Sequence, residues 1–404
     1  MKRLITCQPI FHESEKVAAY ELKFGFETAE LLADDKIKEE LSENIRVCLF
    51  GSAKPVPGKH KDVFVEITPE LLLGLELRRF SRKGVIFYLS QPFEYDERHL
   101  EAIKRWKVEG FKVALGSYVI DNKYDAMSEL TNMVVVDFRS LEEDDLRTMA
   151  VWCKSMRIQT VAYNLETRSA FENAVKLGHN FFHGTFFCEA VYVEKDDIPG
   201  FKLKYLRLLQ EINQEDVSFD KLDSIIRQDV ALTNKLLKYI NSAAFGLQNE
   251  VESVQHALKM LGTNQVKKWA SLVTITNIGK DLPEEALATC LLRGIFLEEL
   301  GMKLGYDDRG NDLFFMGIFS MIDLFFSRPL EEVLNDIPIK ADMKAAILGG
   351  EGDFAKLLAL VRSYEEGDWD ALHTYITTLG LPEDEIPGMY FNAMDWTQNF
   401  IITE

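Results

Sequence analysis

From residue 4 to about 187, short runs of β-branched and aromatic residues alternate with longer amphipathic stretches, the pattern of a parallel sheet wrapped by helices. The runs predict strands near 4–11, 17–24, 62–67, 84–89, 111–116, 133–137, 158–163 and 180–184. A set of that size predicts a closed barrel. Only a short turn, His12 to Lys16, separates the first two strands. A parallel pair needs a crossover of a dozen or more residues, so these two must run antiparallel and the (β/α) barrel is imperfect. Thr68-Pro69-Glu70-Leu71 predicts a helix N-cap followed by proline at the first helical position, where the missing N–H has no intrahelical partner to lose.

The texture changes after Glu189. Lys195-Asp196-Asp197-Ile198-Pro199-Gly200 is charged and then broken by proline and glycine, and beyond it the periodicity is helical. We divide the chain into a barrel domain, 1–190, a linker, 191–200, and an all-α domain, 201–404. Val254, Ala257, Leu258 and Leu261 recur on one helical face, and Gly262 predicts its end. Asp229 is placed to cap the helix that runs to Asn241. The apolar run Leu313 to Phe326, with Asp323 inside it, predicts one buried core helix too short to span a bilayer. Gly349 to Phe354 predicts a glycine-rich turn between helices.

A length of 404 residues suits two domains, and 47% hydrophobic with 27% charged residues is a globular profile. A net charge of -19 repels a phosphate backbone, so nucleic acid is not an expected partner. Five cysteines without a C-x-x-C pair argue against zinc and against a disulfide framework. The opening residues carry no apolar leader, and the expected location is cytoplasmic, with no membrane contact. The common nucleotide-binding and hydrolase motifs are missing, and the histidines stand singly. Barrel logic puts active groups at the C-terminal strand ends, which read Glu21, Glu66, Tyr88, Gly116-Ser117, Asp137, Tyr163 and His183. Three carboxylates are a thin supply for a two-metal site.

Cys7-Gln8-Pro9-Ile10-Phe11 through Tyr20-Glu21-Leu22-Lys23-Phe24-Gly25 resembles the opening of EAL-type cyclic di-GMP phosphodiesterase domains. Val134-Val135-Val136-Asp137-Phe138-Arg139, Gly178 and Phe182-His183-Gly184-Thr185-Phe186-Phe187 are similar to the later blocks of that family. The second half resembles HDOD, a helical output domain derived from HD phosphohydrolases. Ile226 to Leu232, Leu236 to Gly246 and Val254 to Gly262 carry that likeness, with Asn241-Ser242-Ala243-Ala244-Phe245-Gly246 its most specific part. The trailing Tyr364-Glu365-Glu366-Gly367-Asp368-Trp369 also fits the two-domain EAL–HDOD architecture. The implied fold class is a modified TIM-type α/β barrel followed by an all-α HDOD domain.

The resemblance also exposes what has changed. Glu21 matches the first metal-ligand glutamate, but the substrate-gripping arginine is Gly25 and the metal-binding asparagine is Glu66. The next metal glutamate is Tyr88, the aspartate pair is Gly116-Ser117, the catalytic lysine is Val135, the late glutamate is Tyr163 and the last glutamine is His183. The HD pair falls near Ser320-Met321. These departures imply a protein without catalytic residues, metal or cofactor. They leave Glu21, Glu66, Asp137, Arg139 and His183 as a vestigial ligand or partner site at the barrel mouth. In the HDOD half, Asn241, Ser242, Ala243, Ala244, Phe245 and Gly246 are read as a structural hinge or a partner contact. The expected function is a signalling adaptor with protein partners at its HDOD domain, and homodimerisation is left open. The alternatives are a non-hydrolysing sensor with weak binding of cyclic di-GMP or another nucleotide, and an active phosphodiesterase.

Overall fold

The computed structural model describes residues 4–25, 61–74, 84–89, 96–116, 130–192, 199–214, 217–241 and 250–403. By its contacts the chain divides into two units. One comprises Met1–Glu189, Arg362–His373 and Pro382–Gly388; the other comprises Ala190–Val361, Thr374–Leu381 and Met389–Glu404.

The first unit is a closed barrel of eight strands in sequence order: β1 (Ile5–Phe11), β2 (Val17–Phe24), β3 (Asp62–Ile67), β4 (Val85–Leu89), β5 (Lys112–Leu115), β6 (Met133–Asp137), β7 (Gln159–Tyr163) and β8 (Phe181–His183). The expected strands are all present. β1 runs antiparallel to both β2 and β8, and the remaining neighbours are parallel. Around the strands lie α1 (Pro69–Gly74), α2 (Glu97–Val108), α3 (Glu143–Met156) and α4 (Arg168–Leu177). As expected, α1 starts at Pro69, with Thr68 Oγ1 3.5 Å from the Leu71 N–H.

Alternation along the strands separates two apolar layers. Ile10, Ala19, Phe64, Ile86, Ala114, Met133, Val135 and Val161 share one core cluster. Val134 and Val136, one residue out of step, pack with Leu146, Met149 and Cys153 of α3. Residues two further along the first set, Glu21, Glu66, Tyr88, Asp137 and Tyr163, with His183 two beyond the half-buried Phe181 that packs against that set, therefore stand at the barrel's C-terminal mouth.

The second unit is helical: α5 (Gly200–Ile212), α6 (Phe219–Arg227), α7 (Val230–Ile240), α8 (Val254–Ile278), α9 (Glu284–Lys303), α10 (Gly310–Phe319), α11 (Ile322–Phe326), α12 (Leu330–Asp336) and α13 (Ala341–Ile347). α14 (Asp353–Glu366), α15 (Trp369–Leu379) and α16 (Ile386–Thr403) complete the chain, with their stretches shared between the units as given above. Asp229 caps α7 by accepting from the N–H groups of Ala231 and Leu232. Gly262 interrupts α8 with φ 71° and ψ 169°, where the periodicity predicted an end. The run Leu313 to Phe326 is buried as expected, but it is not one helix: it breaks between α10 and α11. The Ser320 hydroxyl donates to the Gly317 carbonyl at 2.7 Å, a side-chain bond that competes with the helical ladder, and Met321 leaves helical geometry at φ -128°. Gly349 to Phe354 joins α13 to α14, as predicted. Among the described residues no helix is long and apolar enough to cross a membrane.

Candidate functional site

Glu21 enters the mouth from β2 and is 1% exposed. Burial alone would raise its carboxyl pKa. His183, Lys23 and the Tyr163 hydroxyl outweigh burial and hold it below its ordinary value. Tyr163, at the end of β7, donates its hydroxyl to Glu21 Oε2 at 2.8 Å. His183, at the end of β8, brings Nε2 to 3.1 Å from the same oxygen and 3.0 Å from Gln8 Oε1. Both of these neighbours are acceptors, so Nε2 carries the proton. The Tyr163 and His183 rings stack at 4.1 Å with an interplanar angle of 9°. The carboxylate is thereby held between two donors that also pack on each other.

Tyr88 fills the adjoining space. A Cβ on Gly116 would lie 2.5 Å from Tyr88 Cε2 and 2.6 Å from its hydroxyl, so the phenol occupies the volume that a side chain at 116 would take. Burial first, and then the surrounding carboxylates, push both Tyr88 and Tyr163 well above the ordinary phenol value, and each stays a neutral donor. Above them opens a cleft of about 450 Å³, walled by Glu66, Asp137 and Arg139 with Lys23, Tyr163 and Trp369. Asp137 accepts from the Asn164 amide and from the Arg139 N–H, each at 3.0 Å. The Arg139 guanidinium is 61% exposed and stands 3.9 Å from Asp137 and 3.6 Å from Glu166, contacts that water screens heavily.

The five barrel residues singled out from the sequence thus separate into an interior pair in direct contact, Glu21 with His183, and three that line the cleft, Glu66, Asp137 and Arg139. Gln8, Lys23, Asn164 and Trp369 belong to the same neighbourhood and were not singled out. Strand parity could have found two of them, since Gln8 lies two residues before the inward Ile10 and Lys23 two after the inward Glu21. In the helical unit, Asn241 accepts from the Val251 N–H at 2.8 Å and donates to the Val251 carbonyl at 2.9 Å. Ser242, Ala243, Ala244, Phe245 and Gly246 lie outside the described residues, as does Ser117.

Where the resemblance places an HD pair, Ser320 accepts from Arg293 Nη1 at 2.8 Å. Arg293 is only 8% exposed. Asp323 lies nearby; burial raises its pKa against the opposing pull of the Leu324 N–H, Tyr192 and the Arg293 charge.

An eight-stranded barrel with its first strand reversed and a helical domain define the class of this chain, and sequence comparisons place it among known proteins. Residues 198–337 match the HDOD domain family. Over 414 aligned residues, covering 99% of both chains, it is 26% identical to the uncharacterized protein YuxH of Bacillus subtilis. It is 22% identical over 320 residues to the Vibrio cholerae cyclic di-GMP phosphodiesterase CdgJ, covering 79% of this chain and 74% of that protein. Among solved structures, the Bacillus subtilis YkuI protein, with an EAL domain and in complex with c-di-GMP and calcium, is similar at a TM-score of 0.35 and 15% identity, over 56% of this chain and 71% of that one. An EAL domain protein from Listeria monocytogenes is similar at a TM-score of 0.36 and 12% identity, over 46% of this chain and 87% of that one. At such scores the structural likenesses carry no argument, and the barrel rests on its own strand order. The HDOD match and the relation to CdgJ along most of the chain support an EAL-plus-HDOD architecture.

Proposed function

We propose that the protein is a catalytically idle signalling adaptor, with a degenerate EAL-type barrel, residues 1–190, as input and the HDOD domain, residues 201–404, as the output that contacts a protein partner. The observation that carries this reading is the clamp on Glu21. The one carboxylate that keeps a metal-ligand position in the resemblance already accepts two hydrogen bonds on Oε2, from Tyr163 and His183. Tyr88 fills the space beside it. A divalent cation needs several oxygen ligands converging on it. Beside Glu21 stand a phenol, an imidazole that presents its N–H and a glycine, which supply none, and of the two carboxylates in the cleft above, Glu66 and Asp137, the latter already accepts from Asn164 and Arg139, so this donor set does not fit the ion. In the helical unit the guanidinium of Arg293 stands against Ser320, a pairing that repels a metal cation instead of binding one.

A second reading has one observation in its favour. The cleft brings Lys23 and Arg139 together above aromatic walls, and its size of about 450 Å³ is ordinary for a small-molecule site, which favours a non-hydrolysing sensor of an anionic ligand such as a cyclic dinucleotide. Titration of the full chain with cyclic di-GMP, with and without magnesium or manganese, followed by product analysis of the same sample, separates the readings. An adaptor gives neither heat nor product. A sensor gives saturable heat that falls in Arg139→Ala, and turnover that disappears in Glu21→Ala overturns both.

A further inference from the structure

The barrel unit includes a short piece of chain far removed in sequence, Arg362–His373. It consists of the end of α14, the turn at Gly367 and Asp368, and the start of α15 at Trp369. A helix end leaves its last four carbonyls without intrahelical partners. The Asp368 N–H reaches the Ser363 carbonyl at 2.9 Å and the Gly367 N–H reaches the Tyr364 carbonyl at 3.2 Å. The other two are met from the barrel. Gln8 Nε2 donates to the Glu365 carbonyl at 2.8 Å, and Lys23 Nζ donates to the Glu366 carbonyl at 3.3 Å.

Packing follows the same path. Tyr364 is 0% exposed, and its hydroxyl accepts from the Ile5 N–H at 3.4 Å. Gly367 has φ 68°, and a Cβ there would meet Lys23 Cδ at 2.8 Å and Thr6 Cγ2 at 3.4 Å. A Cβ at Gly25 would meet Leu4 at 2.8 Å and the Trp369 ring at 3.1 Å, so the bare backbone at 25 lets Leu4 and the indole approach it closely. Trp369 in turn stands edge-on to Tyr364 at 5.6 Å.

Gln8 has two roles in this arrangement. Its Nε2 holds the Glu365 carbonyl, while its Oε1 lies 3.0 Å from His183 Nε2, the atom that also faces Glu21. We propose that Tyr364–Trp369 is a latched strap at the rim of the barrel mouth, held by a hydrogen-bond relay from the His183 N–H through Gln8 to the Glu365 carbonyl, so that losing the His183 donor frees the strap. The flanking stretches 190–361 and 374–381 belong to the helical unit, so the strap is joined to it through the chain on both sides. The latch goes beyond the adaptor reading, since a catalytic or a ligand-binding mouth would carry it equally.

Native cysteines supply the test. Cys7 lies on β1 between Thr6 and Gln8, and together with burial it pushes the Tyr364 phenol up, which places it beside the strap. Cys153 is 0% exposed on α3 of the same barrel. Iodoacetamide labelling of the full chain, read site by site by mass spectrometry, should show Cys7 reacting about tenfold faster in Trp369→Ala, with Cys153 unchanged. His183→Phe keeps a ring against Tyr163 but removes the Nε2 donor, touches no strap residue, and should accelerate Cys7 severalfold. An unchanged Cys7 rate in Trp369→Ala overturns the strap. An effect of Trp369→Ala without one of His183→Phe or Gln8→Met overturns the relay. Cys153 accelerating in step with Cys7 in every variant means unfolding, and overturns the latch as a whole.

Discussion

The barrel mouth and the helical core around Ser320 are the two places where the resemblance puts metal chemistry, and they hold buried charges of opposite sign. The mouth keeps a buried anion, Glu21, and surrounds it with hydroxyl and imidazole donors on stacked rings. The helical core keeps a buried cation, Arg293, and gives it a serine hydroxyl. Glycines serve both sites by admitting a close neighbour. At Gly116 the neighbour is a side chain, Tyr88, whereas at Gly317 it is backbone, with a Cβ falling 2.5 Å from Gly294 Cα. A ring can swing away from an intruding methyl, but a packed helix has to move as a body. A pocket filled by a side chain is therefore adjustable, and one filled by helix contact is rigid.

The sharpest way to break that comparison is to add one methyl to each glycine. Gly317→Ala forces α10 from α9, an overpacking cost of about 3 kcal/mol, seen as a lowered urea midpoint of the full chain. Gly116→Ala asks only that the Tyr88 ring yield, at about 2 kcal/mol, and that cost should vanish in a Tyr88→Ala background. If the two Gly116→Ala effects are equal with and without Tyr88, the phenol is not what fills the site.

Acid should separate the two regions with opposite sign. His179 is 6% exposed with neither ring nitrogen hydrogen-bonded, and burial holds its pKa down at about 4. Unfolded histidine titrates near ~6.5, so between the two values the unfolded chain binds a proton that the folded barrel refuses. Barrel stability then falls by about 2 kcal/mol from pH 7 to pH 5. Glu21, with its lowered carboxyl, adds a further loss as the pH drops below the ordinary carboxylate value. Asp323 has the reverse sign: its raised pKa means that it takes up its proton first in the folded state and contributes a gain on acidification, which the lowered carboxyls of Asp229, Asp342 and Asp353 oppose once the pH falls below the ordinary carboxylate value. Urea unfolding read by pulsed hydrogen exchange reports each unit's peptides separately, and His179→Phe should flatten the barrel's response between pH 7 and pH 5. An equal loss in both units would remove the contrast.

The legible part of the molecule was what short-range pattern encodes. All eight strands, the reversed first strand, the Asp229 cap and the Gly262 break follow from residues within a few positions of one another. Placement of Glu66 and Asp137 at the mouth followed from their positions at the C-terminal ends of strands. The Glu21–His183 contact was not legible, because it needs β8 to close against β1, residues that lie at opposite ends of the barrel's sequence. The strap is further out of reach: the Tyr364 hydroxyl meets an amide 359 positions away, and neither partner has a local pattern that announces the other. The break at Ser320 was hidden for a different reason. Apart from Ser320 and Asp323 the side chains of 313–326 are apolar on every face, so hydrophobicity reports burial there and says nothing of where the axis turns.

The smallest effect tests whether the helical site is a designed pairing or only a well-packed corner. The Ser320 hydroxyl accepts from Arg293 at 2.8 Å and donates to the Gly317 carbonyl at 2.7 Å, so it both satisfies a buried guanidinium and ends α10. Ser320→Ala removes both bonds while leaving the volume nearly unchanged, and should cost about 1.5 kcal/mol, the lower end for a hydrogen bond to a charged group. Arg293→Lys should cost a similar amount in the wild-type background, because an ammonium cannot hold the planar geometry of the guanidinium. In the Ser320→Ala background it should cost less, since the bond it breaks is already gone. A full, additive cost for both substitutions would mean that Arg293 is held by its other surroundings, and that only the barrel mouth has been rebuilt around its retained charge.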